Sequence, residues 1–255
     1  MSPTLPASFL KYPLAHRGLH DRKDGRLENS LPAILAARDA GYGIEIDVQM
    51  TADSQAVVFH DYAMNRLTAE QGVIRNFTLD EAVHIQLLGG SGFLPSFAQV
   101  LQAVAGRVPL LIEVKDQDGN LGPDVGPLET AIAKDLAAYT GPCAVMSFNP
   151  YSVDAMKTLL PDVPRGLVTA AFEPDHWPLP RDRAEELARI PDYTRVGACF
   201  ISHDARDLAN PRVTELRESG ANVLCWTIRS PEEEATARKV AENVTFEGYL
   251  PPVPA

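Results

Sequence analysis

The stretch GIEIDV, at residues 43–48, decides the fold of this chain. Successive side chains of a β-strand point to opposite faces, so Glu45 and Asp47 share one side and the apolar residues share the other. The stretch LLIEVK repeats the arrangement, with Glu113 and Lys115 on one face of a second strand. Charged side chains on such strands are costly to bury, which indicates that the strands serve a site as well as a core.

Outward from these two stretches, short apolar runs alternate with amphipathic stretches along the chain. The apolar runs predict eight strands, at residues 13–16, 43–48, 108–114, 144–148, 166–169, 198–202, 222–226 and 244–247. The stretches between them predict helices, at residues 30–40, 96–104, 127–138, 150–159, 183–189, 210–219 and 231–241. Strands and helices that alternate in this way predict a (β/α)₈ TIM barrel of the α/β class. The pattern alone leaves a doubly wound open sheet as an alternative.

One region interrupts the alternation. The segment from His60 to Phe93 is too long for a simple loop between a strand and a helix. We therefore expect a small insertion after the second strand, at residues 61–94, that caps one barrel mouth. The whole chain, residues 1–255, is predicted to be a single barrel domain.

The composition limits which binding partners and which cellular compartment we expect for this protein. The net charge of −11 and pI near 5.0 provide no basic field, so we expect neither nucleic acid nor a membrane as a partner. No apolar stretch approaches the ~18 residues of a membrane span, and no secretory signal is evident. The three cysteines lack C-x-x-C spacing and are predicted to be reduced in a cytoplasmic protein. The oligomeric state cannot be predicted from the sequence.

Three carboxylates, Glu45, Asp47 and Glu113, are expected to converge from neighbouring barrel strands. They would repel one another near a low-dielectric core unless a cation lay among them. Hard oxygen ligands suit Mg²⁺ or Ca²⁺, whereas a zinc site would be expected to contain histidine or cysteine. The alternative is that each carboxylate makes an unrelated salt bridge, which we favour for Asp47 alone but not for the three together.

Two histidines stand where an apolar run meets a turn, His16 in PLAHRG and His60 in AVVFHD. The ends of barrel strands are where barrel enzymes carry their catalytic groups. A histidine pair beside a metal supplies what phosphodiester cleavage needs, a neutral imidazole that takes a proton and an imidazolium that gives one. Placement alone leaves this interpretation and a structural one evenly balanced.

Four further residues are candidates for contacts with a substrate. Arg17 and Lys115 are suited to hold a phosphate, and they are equally suited to neutralise the nearby carboxylates. Glu28 precedes the first long predicted helix, where a helix cap is the simpler explanation. Trp226 could stack on an apolar face of the substrate or fill the core, and the sequence does not separate the two.

The ordered set AHRG, EN, EIDVQMTAD, VVFHD, LPSFAQVL, IEVK, SF and CWTI resembles the glycerophosphodiester phosphodiesterase family over residues 14–251. The resemblance implies the same barrel fold and a divalent metal. The site residues that it implies are the catalytic histidines His16 and His60, the metal ligands Glu45, Asp47 and Glu113, the phosphate contacts Arg17 and Lys115, the site-supporting Glu28, and Trp226 beside the alcohol or glycerol group.

Two positions depart from the family pattern. The family often ends in a strand followed by Thr-Asp-x-Pro, whereas VTFEGYLPP carries Glu247 or Gly248 in place of the aspartate, depending on a one-residue shift. Arg229 replaces an asparagine that often follows the W-T-V motif. Both positions lie at the predicted barrel mouth, so we expect them to affect the leaving group rather than the phosphoryl chemistry.

The resemblance implies metal-dependent hydrolysis of a small glycerophosphodiester to glycerol phosphate and an alcohol. We favour His16 as the base and His60 as the acid, an order that could be reversed, and the nucleophile is either water or a neighbouring glycerol hydroxyl. Two alternatives are a lysophospholipase D-like enzyme, which should expose an apolar rim, and a non-catalytic phosphate- or sugar-binding barrel. No apolar run for such a rim is evident, and the two histidines count against the binding protein.

Overall fold

The computed structural model describes residues 3–173 and 177–254. The strands in this part of the chain are β1 (Leu14–Ala15), β2 (Gly43–Met50), β3 (Ala56–Val58), β4 (Leu110–Val114), β5 (Cys143–Ser147), β6 (Arg165–Thr169), β7 (Phe200–Asp204), β8 (Asn222–Ile228) and β9 (Asn243–Phe246). All except β3 run parallel, and β1 pairs with both β2 and β9, which closes the sheet into an eight-stranded barrel within the described residues. Each predicted strand overlaps one barrel strand. The predicted α/β TIM barrel is therefore confirmed, and closure excludes the open doubly wound sheet.

Helices surround the barrel and follow most of its strands. Among the described residues they are α1 (Ser8–Lys11), α2 (Leu31–Asp39), α3 (Leu79–Ala82), α4 (Phe97–Val104), α5 (Pro127–Leu136), α6 (Pro150–Leu159), α7 (Arg181–Ala188), α8 (Pro211–Glu218) and α9 (Pro231–Ala237). Two of them begin with a serine cap, because the side chains of Ser30 and Ser230 accept hydrogen bonds from free N–H groups of the first turn. A proline follows each serine within two residues and fits the first turn.

The strand alternation separates two apolar regions. Outward-facing residues of β2 and β4, such as Ile44, Ile46 and Ile112, are buried against the helices. Inward-facing residues form a second cluster inside the barrel, which contains Leu14, Leu111, Ala144, Met146, Val168, Phe200 and Leu224. Phe9 of α1 joins that cluster and closes the end of the barrel at which the strands begin. The inward-facing charged side chains of β2 and β4 lie towards the opposite end.

The segment between β3 and α4 carries a small apolar cluster of its own. It contains two 3₁₀ helices, Met64–Arg66 and Ile74–Asn76, together with α3. Its cluster consists of Leu27, Val57, Phe59, Met64, Leu67, Ile74, Ala82, Ile85, Leu87 and Leu94. Arg66 pairs with Glu28, which lies in the connection after β1, and Arg75 donates to the carbonyl of Gln117 after β4 at 2.8 Å. These bonds hold the segment beside the ends of the barrel strands.

A helix that crosses a membrane must be both long and apolar. Across residues 3–173 and 177–254, no helix combines the length and the apolar character that a membrane crossing requires.

A very close contact joins two adjacent strands in the barrel interior. Gly166 on β6 pairs with Phe200 on β7, and a Cβ added at Gly166 would lie 2.4–2.5 Å from three carbons of the phenyl ring. We expect Gly166→Ala to lower the free energy of unfolding by about 1–3 kcal/mol, because the buried ring has no free space into which it can move. Urea denaturation followed by circular dichroism measures this change.

Gly122→Ala is the matched control, since its nearest neighbour is a side-chain oxygen of Asp118 at 4.0 Å. This variant should keep the wild-type midpoint or exceed it slightly, because alanine restricts the unfolded chain. The double variant Gly166→Ala/Phe200→Leu should recover part of the loss. Equal stability of the two single variants would contradict the packing explanation.

Candidate active site

A cavity opens where the barrel strands end. Of the residues singled out in the sequence, those that line it are His16, Arg17, Glu45, Asp47, His60, Glu113, Lys115 and Trp226. Glu28 is not among the lining residues and instead contacts Arg17. Arg229 lies at the same cavity.

The three carboxylates meet inside this cavity. Glu45, Asp47 and Glu113 are buried, and each offers an oxygen within 4.8 Å of the others. Asp47 and Glu113 are brought together because they pair directly across β2 and β4. Two donors hold the carboxylates in place: the backbone N–H of Arg17 donates to Glu45 Oε2 at 3.0 Å, and Asn29 Nδ2 donates to Asp47 Oδ2 at 2.9 Å.

Arg17 and Asn29 both adopt the left-handed backbone region, with φ of 54° and 57°. Such conformations are unfavourable for residues other than glycine and concentrate at functional sites. Here they direct one backbone N–H and one side-chain amide towards the carboxylates. Local backbone strain is therefore coupled to the placement of Glu45 and Asp47.

The electrostatics of this cluster are unbalanced. Burial, together with the negative charges of Asp47 and Glu113, raises the pKa of Glu45 well above its usual range. Burial also acts to raise the pKa of Asp47, but the nearby positive charges of His60 and Lys115 outweigh it and lower that pKa. The three carboxylates thus do not all ionise easily without further positive charge.

Two cationic side chains lie against the carboxylates. Arg17 Nη1 donates to Glu28 Oε1 at 2.6 Å, and Arg17 Nε lies 3.3 Å from Asp47 Oδ2. Lys115 Nζ donates to Glu113 Oε1 at 2.9 Å and lies 3.6 Å from Asp47 Oδ1. Arg66 also binds Glu28, so Glu28 lies behind Arg17, and the alternative of a helix cap is met by Ser30 instead.

The donor set fits a hard divalent cation. Three buried carboxylates face two cationic side chains, which leaves an excess of negative charge. Their ligand atoms are all oxygens and come from three rigid strand positions, as suits a site for an alkaline-earth ion. A cation among them would relieve the repulsion that raises the pKa of Glu45.

Both histidines of the cavity are held by a carboxylate at the same ring atom. His16 Nδ1 donates to Glu247 Oε2 at 2.6 Å, and His60 Nδ1 donates to Asp61 Oδ1 at 2.8 Å. Burial lowers the pKa of His16, although its hydrogen bond to Glu247 acts in the opposite direction. In each ring the remaining nitrogen, Nε2, is left for a ligand in the cavity.

Further residues hold His60. Arg66 Nη2 donates to Asp61 Oδ1 at 3.0 Å, and Gln49 Nε2 donates to the carbonyl of His60 at 3.1 Å. Burial acts to raise the pKa of Asp61, but its hydrogen bonds to His60 and Arg66 outweigh this effect and hold the pKa below its usual range. The carboxylate therefore remains an acceptor for the imidazole.

Trp226 both packs against core residues and borders the cavity, the two alternatives that the sequence left open. It lines the cavity, and its ring lies edge-on to Phe148 with ring centroids 5.5 Å apart. Its Nε1 donates to the carbonyl of Ser202 at 3.0 Å, which fixes the indole. The same side chain can therefore pack against the core and present a surface to a ligand.

Glu247 contacts a residue that the sequence did not link to it. The sequence predicts Glu247 at the barrel mouth, where it was expected to affect the leaving group, and the structure adds a hydrogen bond to His16. Asn29 and Arg66 were likewise not identified as site residues, although they bind Asp47 and Asp61. The predicted barrel closure could have indicated the contact between Glu247 and His16, because closure brings the last strand beside the first.

The comparisons with known proteins agree with this fold and show the family. A model of the glycerophosphoryl diester phosphodiesterase family matches residues 16–243. The Bacillus subtilis protein YhdW is 28% identical over 235 residues, which cover 88% of each chain. A glycerophosphodiester phosphodiesterase of Caldanaerobacter subterraneus is 28% identical over 233 residues, which cover 86% of each chain.

A solved structure shows the same fold at low sequence identity. An Oleispira antarctica phosphodiesterase, in complex with the product sn-glycerol-3-phosphate, superposes with a TM-score of 0.76 at 21% identity. The superposition covers 95% of this chain and 94% of that chain. With the family match extending over most of its length, the chain belongs to the glycerophosphoryl diester phosphodiesterase family.

Proposed function

We propose that this protein is a metal-dependent enzyme that hydrolyses glycerophosphodiesters to a glycerol phosphate and an alcohol. The observation that carries the proposal is one cavity lined by His16 and His60, a carboxylate trio and two cationic side chains. The names of relatives support the substrate class, since one is a glycerophosphodiester phosphodiesterase and a structural neighbour holds sn-glycerol-3-phosphate.

The residues proposed to hold the metal are Glu45, Asp47 and Glu113, and the proposed ion is Mg²⁺ or Ca²⁺ because all their donors are oxygens. When bound, such an ion supplies Lewis-acid stabilisation for the negative charge that develops on the phosphoryl oxygens. The surrounding residues keep the ligands oriented through bonds from the Arg17 backbone and from Asn29.

Arg17 and Lys115 are the proposed phosphate contacts. Both line the cavity and are already oriented by carboxylates, so little side-chain entropy is lost when a phosphate binds. A planar guanidinium and a compact ammonium can share the charge on the phosphoryl oxygens as it increases in the transition state. Trp226 is proposed to contact the glycerol or alcohol portion, because it lines the same cavity.

We propose His16 as the base and His60 as the acid. His16 takes a proton from the attacking hydroxyl, of water or of the substrate's own glycerol, because burial keeps its imidazole neutral. His60 gives a proton to the departing alkoxide, which leaves as the alcohol. With 31% of its side chain exposed against 14% for His16, His60 is the better placed to regain a proton from solvent.

A second candidate function is favoured by one feature of residues 61–94. We propose that this segment caps the barrel mouth within a single domain, and its exposed large apolar residues are Tyr62, Val73, Leu88 and Phe93. Such residues suit contact with an acyl chain, as in a lysophospholipase D-like enzyme. A substrate panel that contains both glycerophosphodiesters and lysophospholipids separates the two candidates by their kcat/KM values.

Removal of either proposed catalytic imidazole should abolish turnover while the fold is kept. We expect His16→Ala and His60→Ala each to lower kcat by about 10²–10⁴-fold, the typical contribution of a positioned acid or base. Release of glycerol phosphate from a panel of glycerophosphodiesters measures the effect. His84→Ala is the control, because His84 is exposed, lies outside the cavity lining and bonds to the Asp80 carbonyl. Near-full activity of either cavity variant would refute the assignment.

Metal removal should stop the reaction and lower stability. After EDTA treatment we expect no turnover, with recovery on addition of Mg²⁺ or Ca²⁺. A cation that binds only the folded state adds about 2.7 kcal/mol at a hundred times its Kd, so thermal unfolding should shift upward with the ion. Glu45→Gln should lose this shift, whereas the exposed Glu186→Gln should keep it. Full turnover in EDTA would contradict metal dependence.

Activity should persist into mildly acidic solution. His16 accepts a proton only when neutral, so kcat/KM falls as the pH drops through its pKa. Burial lowers that pKa, and the midpoint of the acidic limb should therefore lie below 6.5, the ordinary value for histidine. A pH–rate profile of the metal-loaded enzyme checks this expectation, and a midpoint clearly above 6.5 would contradict it.

A further inference from the structure

Glu247 follows β9 and has no assigned role in the reaction. Barrel closure places β9 beside β1, and Glu247 Oε2 accepts a 2.6 Å hydrogen bond from His16 Nδ1. His16 lines the cavity, whereas Glu247 is not among the lining residues. Glu247 therefore has to act through the imidazole rather than on a substrate.

Each oxygen of this carboxylate has its own partner. Glu247 Oε1 pairs with Arg229 Nη2 at 2.8 Å, while Oε2 receives the His16 bond. His20 Nε2 lies 3.6 Å from Oε2, too far for a hydrogen bond but close enough to add to the field. Hydrogen bonding to His16, followed by the contact with His20, holds the pKa of Glu247 well below its usual range, and the carboxylate stays ionised.

An ionised carboxylate can only accept hydrogen bonds. The nitrogen of His16 that faces Glu247 must then carry the proton, and the lone pair of the neutral ring belongs to Nε2. A base needs its lone pair on the nitrogen that faces the reacting hydroxyl. The ion pair with Arg229 opposes rotation of the carboxylate, so it favours one orientation of the ring along with its tautomer.

We propose that Glu247, held by Arg229, is the positioning residue that sets the tautomer and orientation of His16, a role that rests on the proposed function of His16 as the base. The His60–Asp61 pair has an equivalent bond, but its carboxylate is the next residue in the chain. Glu247 is a separate element of the site, contributed by the opposite end of the sequence.

Glu247→Gln tests this role because the two oxygens are not equivalent. Arg229 requires an acceptor, so the amide oxygen should face Arg229 and the amide NH₂ should face His16 Nδ1. The ring then has to carry its proton on Nε2 and loses its function as a base. We expect kcat to fall by on the order of 10²–10⁴-fold, with KM within about threefold because the substrate cavity is unchanged.

Two variants accompany it. Glu247→Asp restores an ionised carboxylate and should recover at least about tenfold in kcat over Glu247→Gln. Glu233→Gln is the matched control, since Glu233 also lies beside Arg229, whose backbone N–H it accepts at 2.7 Å, whereas the carboxylate bonded to His16 is that of Glu247. It should retain wild-type kcat. Equal kcat values for Glu247→Gln and the wild type, or a loss confined to KM, would overturn the proposal.

A spectroscopic measurement separates this proposal from the proposed function. In ¹⁵N-labelled resting protein, the ring nitrogens of His16 should report a protonated Nδ1, and Glu247→Gln should reverse the assignment to a protonated Nε2. Replacement of Arg229 as well, in Arg229→Met/Glu247→Gln, frees the amide to turn and should return the proton to Nδ1. An unchanged tautomer in Glu247→Gln would overturn the role of Glu247 even if glycerophosphodiesters are hydrolysed, and a reversed tautomer would support it even if they are not.

Discussion

The pairing of β1 with both of its neighbours is the constraint on which the barrel and its site depend. Leu14 pairs with Gly43 on one side and with Thr245 on the other, and these contacts close the sheet. Gly43 allows the close approach, because a Cβ there would lie 2.6 Å from Leu14 Cδ2. The chain leaves β1 directly afterwards, so His16 emerges between the strand of the carboxylates and the last strand of the barrel.

The site is built at a cost to the fold. Three carboxylates on β2 and β4 are buried together. The positive charges of Arg17 and Lys115 balance their negative charges only in part. A barrel that needed only stability would place apolar side chains there, as it does around Phe200 at the other end. Conflict between local charge and core packing of this kind is typical of a functional centre, where the ligand supplies the missing interaction.

Each of the two histidines is held by a carboxylate at Nδ1, but the two carboxylates lie at very different sequence separations from their histidines. Asp61 is adjacent to His60, so that pair is visible in the sequence as HD. Glu247 is 231 residues from His16, and no local pattern links them. Asn29 is an intermediate case, because it binds Asp47 across a separation of 18 residues.

By itself the sequence pattern determined the α/β class and the approximate strand positions, and the family resemblance added the barrel and the residues that gather in the cavity. The physical reason is that two-residue alternation reports which side chains share a face, and polar residues at the ends of apolar runs mark the ends of strands. Only the tertiary structure decided that Glu28 stands behind Arg17, that Arg66 holds Asp61, and that Glu247 binds His16. These partners are set by strand closure and loop packing, which bring distant residues within hydrogen-bonding distance and leave no periodic signal in the sequence.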